Sequence, residues 1–241
     1  MTFAKSVDPR ENQELAHAGP QDEHSRRLLV VATGALLGTI FLAMSGLALW
    51  IRPGSLLFPL ESRSAYIASA GPGWVAGWLL WMVCALSLVA FLFAVANYTE
   101  SRYADLALTL GAIGTGTDIF CQALQATVLP VLAAEMPATR ATFLAVEQLC
   151  LVGSVTTGPA FYTLGIPLIM KALRHRSPMT RALGSVALAC GAMMVASGFT
   201  TDGLFMGAAT AVQLTTYCLW AVSAVRDMLA TPALQPASLH T

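Results

Sequence analysis

The chain has 241 residues, of which 56% are apolar and 11% are charged. Its 13 basic and 13 acidic residues give a formal net charge of zero, so no overall field draws it to nucleic acid. An ordinary soluble domain has about 25% charged residues. The composition therefore excludes that class and indicates an integral membrane protein, with the lipid bilayer as its first partner.

Six segments are apolar and long enough to cross a bilayer, which takes about 20 residues of helix. In chain order they are residues 28–51, 74–98, 106–132, 142–170, 183–199 and 204–225. The first two carry no charge, whereas the third and fourth contain acids and amides. We predict an all-α fold, a polytopic membrane helical bundle of six transmembrane helices.

Basic residues fall unevenly on the two sides of these spans. Ten Lys and Arg lie on the side of the N-terminus, against three (Arg52, Arg63 and Arg140) on the other. Cytoplasmic loops are enriched in basic residues, so we predict a multi-pass protein of the cell membrane with both termini cytoplasmic. Residues 1–27 form the predicted disordered cytoplasmic tail, 28–226 the transmembrane domain, and 227–241 the cytoplasmic C-terminal tail.

The longest outer loop, residues 52–72, contains an apolar run at 56–60. This run predicts a loop that either lies in the membrane interface or folds back over the bundle. Next to it, Trp74, Trp78 and Trp81 share one helical face. We predict Trp74 in the outer aromatic belt. Trp78 and Trp81 either face lipid, the reading we favour, or wall a cavity.

The residue inventory predicts no metal and no cofactor. All four histidines (His17, His24, His175 and His240) lie outside the spans, which excludes a bis-histidine haem in the bundle. The five cysteines lie within spans without Cys-x-x-Cys spacing and are predicted to be reduced packing residues. No glycine-rich phosphate-binding loop occurs, which excludes an ATP-driven pump for this chain alone.

Asp118 is the most informative residue of the spans. An acid near mid-membrane costs about 2.5–3.5 kcal/mol on insertion scales. Gly111, Thr115, Asp118, Gln122 and Gln125 recur at helical spacing and form one polar stripe. That stripe is predicted to face the interior of the bundle.

Other spans bring further polar residues to similar depths, and together they predict a ligand-binding cavity. With no Lys or Arg inside a span, neither Asp118 nor Glu147 is expected to have a buried basic partner, and Glu147 is predicted to bond to Gln125. Each acid is then protonated, in contact with water, or bound to a cation or basic ligand. The predicted ligand-binding residues are Asp118, Gln122, Gln125, Glu147, Gln213 and Tyr217.

The fourth span contains Gly158 and Pro159 beside two threonines. Proline removes a backbone donor, so a kink is predicted here, with carbonyls freed near mid-membrane. Broken helices of this kind form binding sites in transporters.

Residues 164–167, Leu-Gly-Ile-Pro, are predicted to close one helix, a basic turn with Pro178 follows, and residues 181–184, Arg-Ala-Leu-Gly, are predicted to open the next. With this pattern, the last two-fifths of the chain resemble a bacterial family of six-helix integral membrane proteins of unknown function. The resemblance implies the same six-helix architecture. It implies no activity and assigns no functional residue.

Three functions are compatible with the sequence. The favoured one is a membrane protein that binds or translocates a small molecule, proton or lipid through an intramembrane polar cavity. The second is an accessory subunit that packs against membrane protein partners. The third is an acid-catalysed membrane enzyme acting on a lipid or isoprenoid, with Asp118 or Glu147 as general acid. The residues assign no catalytic group.

Overall fold

The structure, a computed structural model, describes residues 20–173, 176–200 and 202–230, with side chains from residue 23 onward. Over these residues it is helical apart from short connections. The α-helices are α1 (Pro20–Gly46), α2 (Leu60–Ser69), α3 (Gly71–Thr99), α4 (Arg102–Ala134), α5 (Arg140–Leu151), α6 (Gly158–Ala172), α7 (Pro178–Ser197) and α8 (Gly203–Ala230). A π-helical turn (Leu47–Ile51) and a 3₁₀ turn (Arg52–Gly54) extend α1, and a second π-helical turn (Val152–Thr157) joins α5 to α6.

The prediction of an all-α bundle with six membrane-spanning helices is confirmed. Six helices are long and apolar enough to cross a membrane, with α5 and α6 forming one continuous span. Their outer faces carry large apolar side chains: Phe41 and Leu204 are each 71% exposed. Exposed apolar surface of this extent is stable against lipid rather than water. The chain is therefore a multi-pass integral membrane protein.

The first and last helices are longer than the predicted spans. Helix α1 begins at Pro20, within the segment predicted as a tail. Helix α8 continues to Ala230, and its Asp227 accepts hydrogen bonds from Ser177 N at 2.8 Å and Thr180 Oγ1 at 2.6 Å. These bonds fasten the end of α8 to the start of α7. The rest of both predicted tails, residues 1–19 and 231–241, lies outside the described residues.

The six spans form a closed ring. Each packs against the next in chain order, and α8 returns to contact α1. The spans alternate in direction, so the bundle has two ends. We call the end with the connections 52–70, 135–139 and 198–202 the loop end, and the opposite end the tail end.

Two hydrophobic cores occupy different levels of the ring. The larger lies toward the tail end and includes Phe91, Val95 and Trp220, each fully buried. The smaller lies at the loop end around Ile67 and Phe143. Polar residues of the stripe predicted on α4 lie between these two cores.

The long outer loop folds back over the bundle, one of its two predicted arrangements. Its helix α2 packs on α4 and buries Ile67, which is 1% exposed. Ahead of α2, the backbone of Leu56 and Leu57 lies so close to Gly203 that a Cβ there would be 2.7 Å from Leu56 C. The loop therefore closes the loop end of the ring between α1 and α8.

Candidate functional site, a cavity inside the ring

A cavity of about 410 Å³ lies inside the ring and is lined by residues from all six spans. Small-molecule sites usually have volumes of roughly 300–1,000 Å³. The cavity starts beneath the loop residues 52–57 and reaches Asp118, Tyr162 and Tyr217. The six predicted ligand-binding residues all line it: Asp118, Gln122, Gln125, Glu147, Gln213 and Tyr217. Ligand binding by these residues stays a prediction.

Asp118 lies at the midpoint of α4, equally far along the sequence from Arg102 and Ala134. Its side chain is 8% exposed, and Tyr162 OH donates a 2.8 Å hydrogen bond to Oδ2. Thr115 Oγ1 lies 3.3 Å from the same Tyr162 hydroxyl and donates to Ala85 O. The α4 stripe thus faces the interior as predicted, and a tyrosine from α6 holds one carboxylate oxygen.

Two contacts fix the register of α3 against α4. Thr115 Oγ1 on α4 donates to Ala85 O on α3. Ten residues further along α4, the carbonyl of Gln125 accepts a 2.6 Å hydrogen bond from Trp74 Nε1 on α3. Because the two helices are antiparallel, a step back along α3 from Ala85 matches a step forward along α4 from Thr115. One turn away, Trp81 on α3 lies at the height of Asp118 on α4, and one further turn away Trp78 lies at the height of Gln122. Indole rings therefore face the cavity at the levels of the acid and the amide.

Buried polar atoms without a protein hydrogen-bond partner gather around this cavity. Among the described side chains seven such atoms occur, and six belong to residues that line the cavity. Leaving a buried donor or acceptor unpaired costs about 1–3 kcal/mol. The six are Trp78 Nε1, Trp81 Nε1, Asp118 Oδ1, Gln122 Oε1, Ser154 Oγ and Gln213 Oε1.

The fourth span is one continuous helix from Arg140 to Ala172 and contains a π-helical turn, Val152–Thr157, directly before Gly158 and Pro159, where the kink is predicted. Turns of this type recur at functional sites. A Cβ on Gly158 would lie 3.1 Å from Asp118 Cγ, so the absence of a side chain lets the backbone approach the carboxylate. The turn also brings Ser154 beside Asp118.

The expectation that neither acid has a buried basic partner is wrong for Glu147. Arg63 reaches into the bundle from α2, and its Nε and Nη2 donate to the two Glu147 carboxylate oxygens at 3.0 and 2.6 Å. The pair is largely buried, with side chains 10% and 12% exposed. The position of Arg63 in an outer loop predicts a place outside the bundle. Because that loop folds back, the guanidinium lies inside the bundle instead.

The predicted bond between Glu147 and Gln125 is therefore wrong. Glu147 pairs with Arg63, and the contact at Gln125 is its backbone carbonyl, which accepts from Trp74. Trp74 is 2% exposed, which contradicts its predicted place in an outer aromatic belt. Trp78 and Trp81 line the cavity, so the favoured lipid-facing reading is wrong for them as well.

Sequence reasoning missed three members of this site: Arg63, Tyr162 and the indole of Trp74. Tyr162 lies four residues after Gly158 and eight after Ser154, on one helical face, and that spacing could have indicated it. Arg63 carried no local signal. Across the described residues, no three His, Cys, Asp or Glu side chains lie together as metal ligands would.

The fold defines the class: a six-span helical integral membrane protein, with a cavity inside the ring that is lined mainly by apolar residues and by a few polar ones. Comparison with protein-family models, curated proteins and solved structures finds no match for this chain. The resemblance over residues 164–184 to a six-helix family stays a prediction.

Proposed function

We infer that this protein binds, and through that binding carries across the membrane, a small molecule held in the cavity inside the ring. The observation that carries this inference is a cavity of about 410 Å³ that is lined by all six spans and surrounded by polar side chains with buried, unpaired atoms. Each such atom costs about 1–3 kcal/mol when it is left without a partner. A ligand with matching donors and acceptors would recover that cost.

Two features favour movement of the ligand over permanent storage. The cavity is lined by every span, so a small shift of one span changes its shape. The fourth span contains a π-helical turn beside Asp118, and turns of this type recur at functional sites. A proton and a lipid are the two other cargoes that are compatible with the predicted cavity.

The orientation follows from the basic residues. We place the tail end in the cytoplasm and the loop end outside, in the cell membrane, because ten of 13 basic residues lie on the tail side. The cavity then lies nearer the outer face, beneath the folded loop.

Native mass spectrometry after mild extraction tests the inference. The wild type should carry a bound small molecule that Asp118→Asn loses. Asp105→Asn, the same change at an exposed site in the first turn of α4, is the matched control and should retain it. Protein partners without a ligand, identical for all three proteins, would contradict the inference and favour the accessory subunit. Product formation in cells that depends on Asp118 or Glu147 would favour the enzyme.

A further inference from the structure

We propose that the ligand is a lipophilic amine, bound as its ammonium ion with the cationic group on Asp118 and the apolar body along the cavity wall. This proposal rests on the proposed function and names the ligand class for the same cavity. It follows from charge, from donor and acceptor types, and from the aromatic wall.

The two acids of the cavity differ in charge balance. Glu147 is neutralised by a two-point ion pair with Arg63. Asp118 has only neutral neighbours as hydrogen-bond donors, the hydroxyls of Tyr162 and Ser154, and none of the ion pairs among the described residues includes it. A carboxylate at mid-membrane is stabilised by an opposite charge close by. An ammonium group would supply that charge from the ligand.

The unpaired acceptors match an ammonium group in number and kind. Asp118 Oδ1, Gln122 Oε1 and Gln213 Oε1 are buried acceptors without a protein donor. Their residues are 8%, 3% and 6% exposed, and all line the cavity. A primary ammonium carries three N–H donors. Side chains with such acceptors on α4 and on α8 therefore line the same cavity.

The walls of the cavity favour a ligand whose cationic group is attached to an apolar body. Trp81 lies at the height of Asp118, and an indole face attracts a cation within about 6 Å of the ring centre. Around these groups the lining is apolar, with Leu36, Ile40, Met206 and Leu214 among its members. A strongly hydrated metal ion gains little from such walls, whereas an alkyl or aryl amine buries apolar area against them.

A pair of matched probes tests the ligand class. Phenylbutylamine is cationic at neutral pH, and phenylbutanol has the same body with a neutral hydroxyl. Binding of each radiolabelled probe is measured by equilibrium dialysis with the full chain in phosphatidylcholine nanodiscs, after subtraction of protein-free nanodiscs. The proteins are the wild type, Asp118→Asn, Asp118→Glu and the control Asp105→Asn, each checked for helix content.

The amine should bind wild type and Asp105→Asn alike and Asp118→Asn about 10- to 150-fold more weakly, the range that corresponds to the loss of a charge-assisted contact. Asp118→Glu keeps the charge and should retain the preference for amine over alcohol. If Asp118→Asn does not fold, Gln213→Leu should weaken amine binding about threefold to tenfold, because it removes one acceptor.

Each contrary result is distinct. Equal binding of amine and alcohol to wild type, unchanged in Asp118→Asn, would overturn the amine assignment and leave the cavity as a ligand site. No saturable binding of either probe to wild type would also overturn the assignment. The proposed function itself fails by a separate result, the absence of any small molecule from the wild type in native mass spectrometry.

Discussion

At the scale of single residues, the site depends on which polar groups have protein partners. Asp118 has the neutral hydroxyls of Tyr162 and Ser154 beside it, whereas Glu147 has an arginine on both oxygens. Two acids that look alike in sequence therefore have different surroundings. We propose that the first holds the ligand, whereas the second fixes a loop.

Removing the Tyr162 hydroxyl should loosen this arrangement. Tyr162→Phe deletes the donor to Asp118 Oδ2 and should lower the free energy of unfolding by about 1 kcal/mol, a typical size for hydrogen bonds within membrane bundles. Unfolding in mixed micelles, followed by tryptophan fluorescence, measures the change. Tyr103→Phe, whose hydroxyl meets the exposed Arg102 side chain at 3.4 Å, is the control and should have little effect. Equal stability of both variants would contradict the role of Tyr162.

The polar stripe could be predicted at this scale because helical spacing is a local property. Asp118 and Gln122 face inward, as a stripe of costly polar groups requires. The partner of Glu147 could not be predicted, because Arg63 is distant along the chain and lies in a segment that hydropathy places outside. Pairing of this kind depends on how a loop folds, which no periodicity reports.

At the scale of elements, the folded loop and the π-helical turn of the fourth span determine the shape of the cavity. Helix α2 is held by a buried ion pair and by Ile67, and the segment before it lies against the start of α8. The apolar run at 56–60 indicated two arrangements, and its own residues could not distinguish them. The contacts of α2 with α4, formed between distant parts of the chain, select the folded one.

The ion pair should couple α2 to α5 strongly. Arg63→Met leaves a buried, uncompensated Glu147 and should destabilise the protein by about 3–5 kcal/mol, while Arg63→Met with Glu147→Leu should recover most of that loss. A double-mutant cycle of unfolding free energies measures the coupling. The exposed pair Arg140 and Glu61, 3.6 Å apart, is the control and should couple by less than about 1 kcal/mol. Additive effects at Arg63 and Glu147 would refute the coupling.

Close packing of the loop against α8 makes a separate prediction. Gly203→Ala would place a Cβ 2.7 Å from Leu56 C, so the loop backbone must move, and amide hydrogen exchange over residues 54–58 should become faster. Gly207→Ala, one turn further along α8, meets no atom within 4 Å and should leave that exchange unchanged. As an exposed helical glycine it should gain about 0.5–1 kcal/mol. Exchange over residues 54–58 that is the same in Gly203→Ala and the wild type would contradict close packing of the loop against α8.

At the scale of the whole molecule, six apolar runs suffice to predict six spans, since each run is long enough to cross a bilayer by itself. The cavity is a different kind of property. It arises because α8 returns to α1 and closes a ring, and because loop residues cover one end. Trp78 and Trp81 illustrate this difference. Their spacing predicts that they share one face of α3, but the closure of the ring determines whether that face contacts lipid or the cavity.

The orientation of the whole chain can be measured directly. Ser62 on α2 is exposed, so Ser62→Cys in intact cells should react with a membrane-impermeant maleimide, and a fluorescent protein fused after residue 241 should fold and fluoresce in the cytoplasm. Ser185→Cys, exposed on α7 within the membrane span, is the control and should react poorly because lipid covers it. Labelling of Ser62→Cys only after cells are opened would reverse the orientation.

The most direct test is a cryo-electron microscopy map of the wild type in nanodiscs, with a bound antibody fragment as fiducial. A map at side-chain resolution should show compact non-protein density touching Asp118, Gln122 and Gln213 within the ring. The same map of Asp118→Asn should lack that density while the helices keep their places. A cavity collapsed by direct bonds among those three side chains, or filled only by an acyl chain continuous with the bilayer, would contradict a ligand site here.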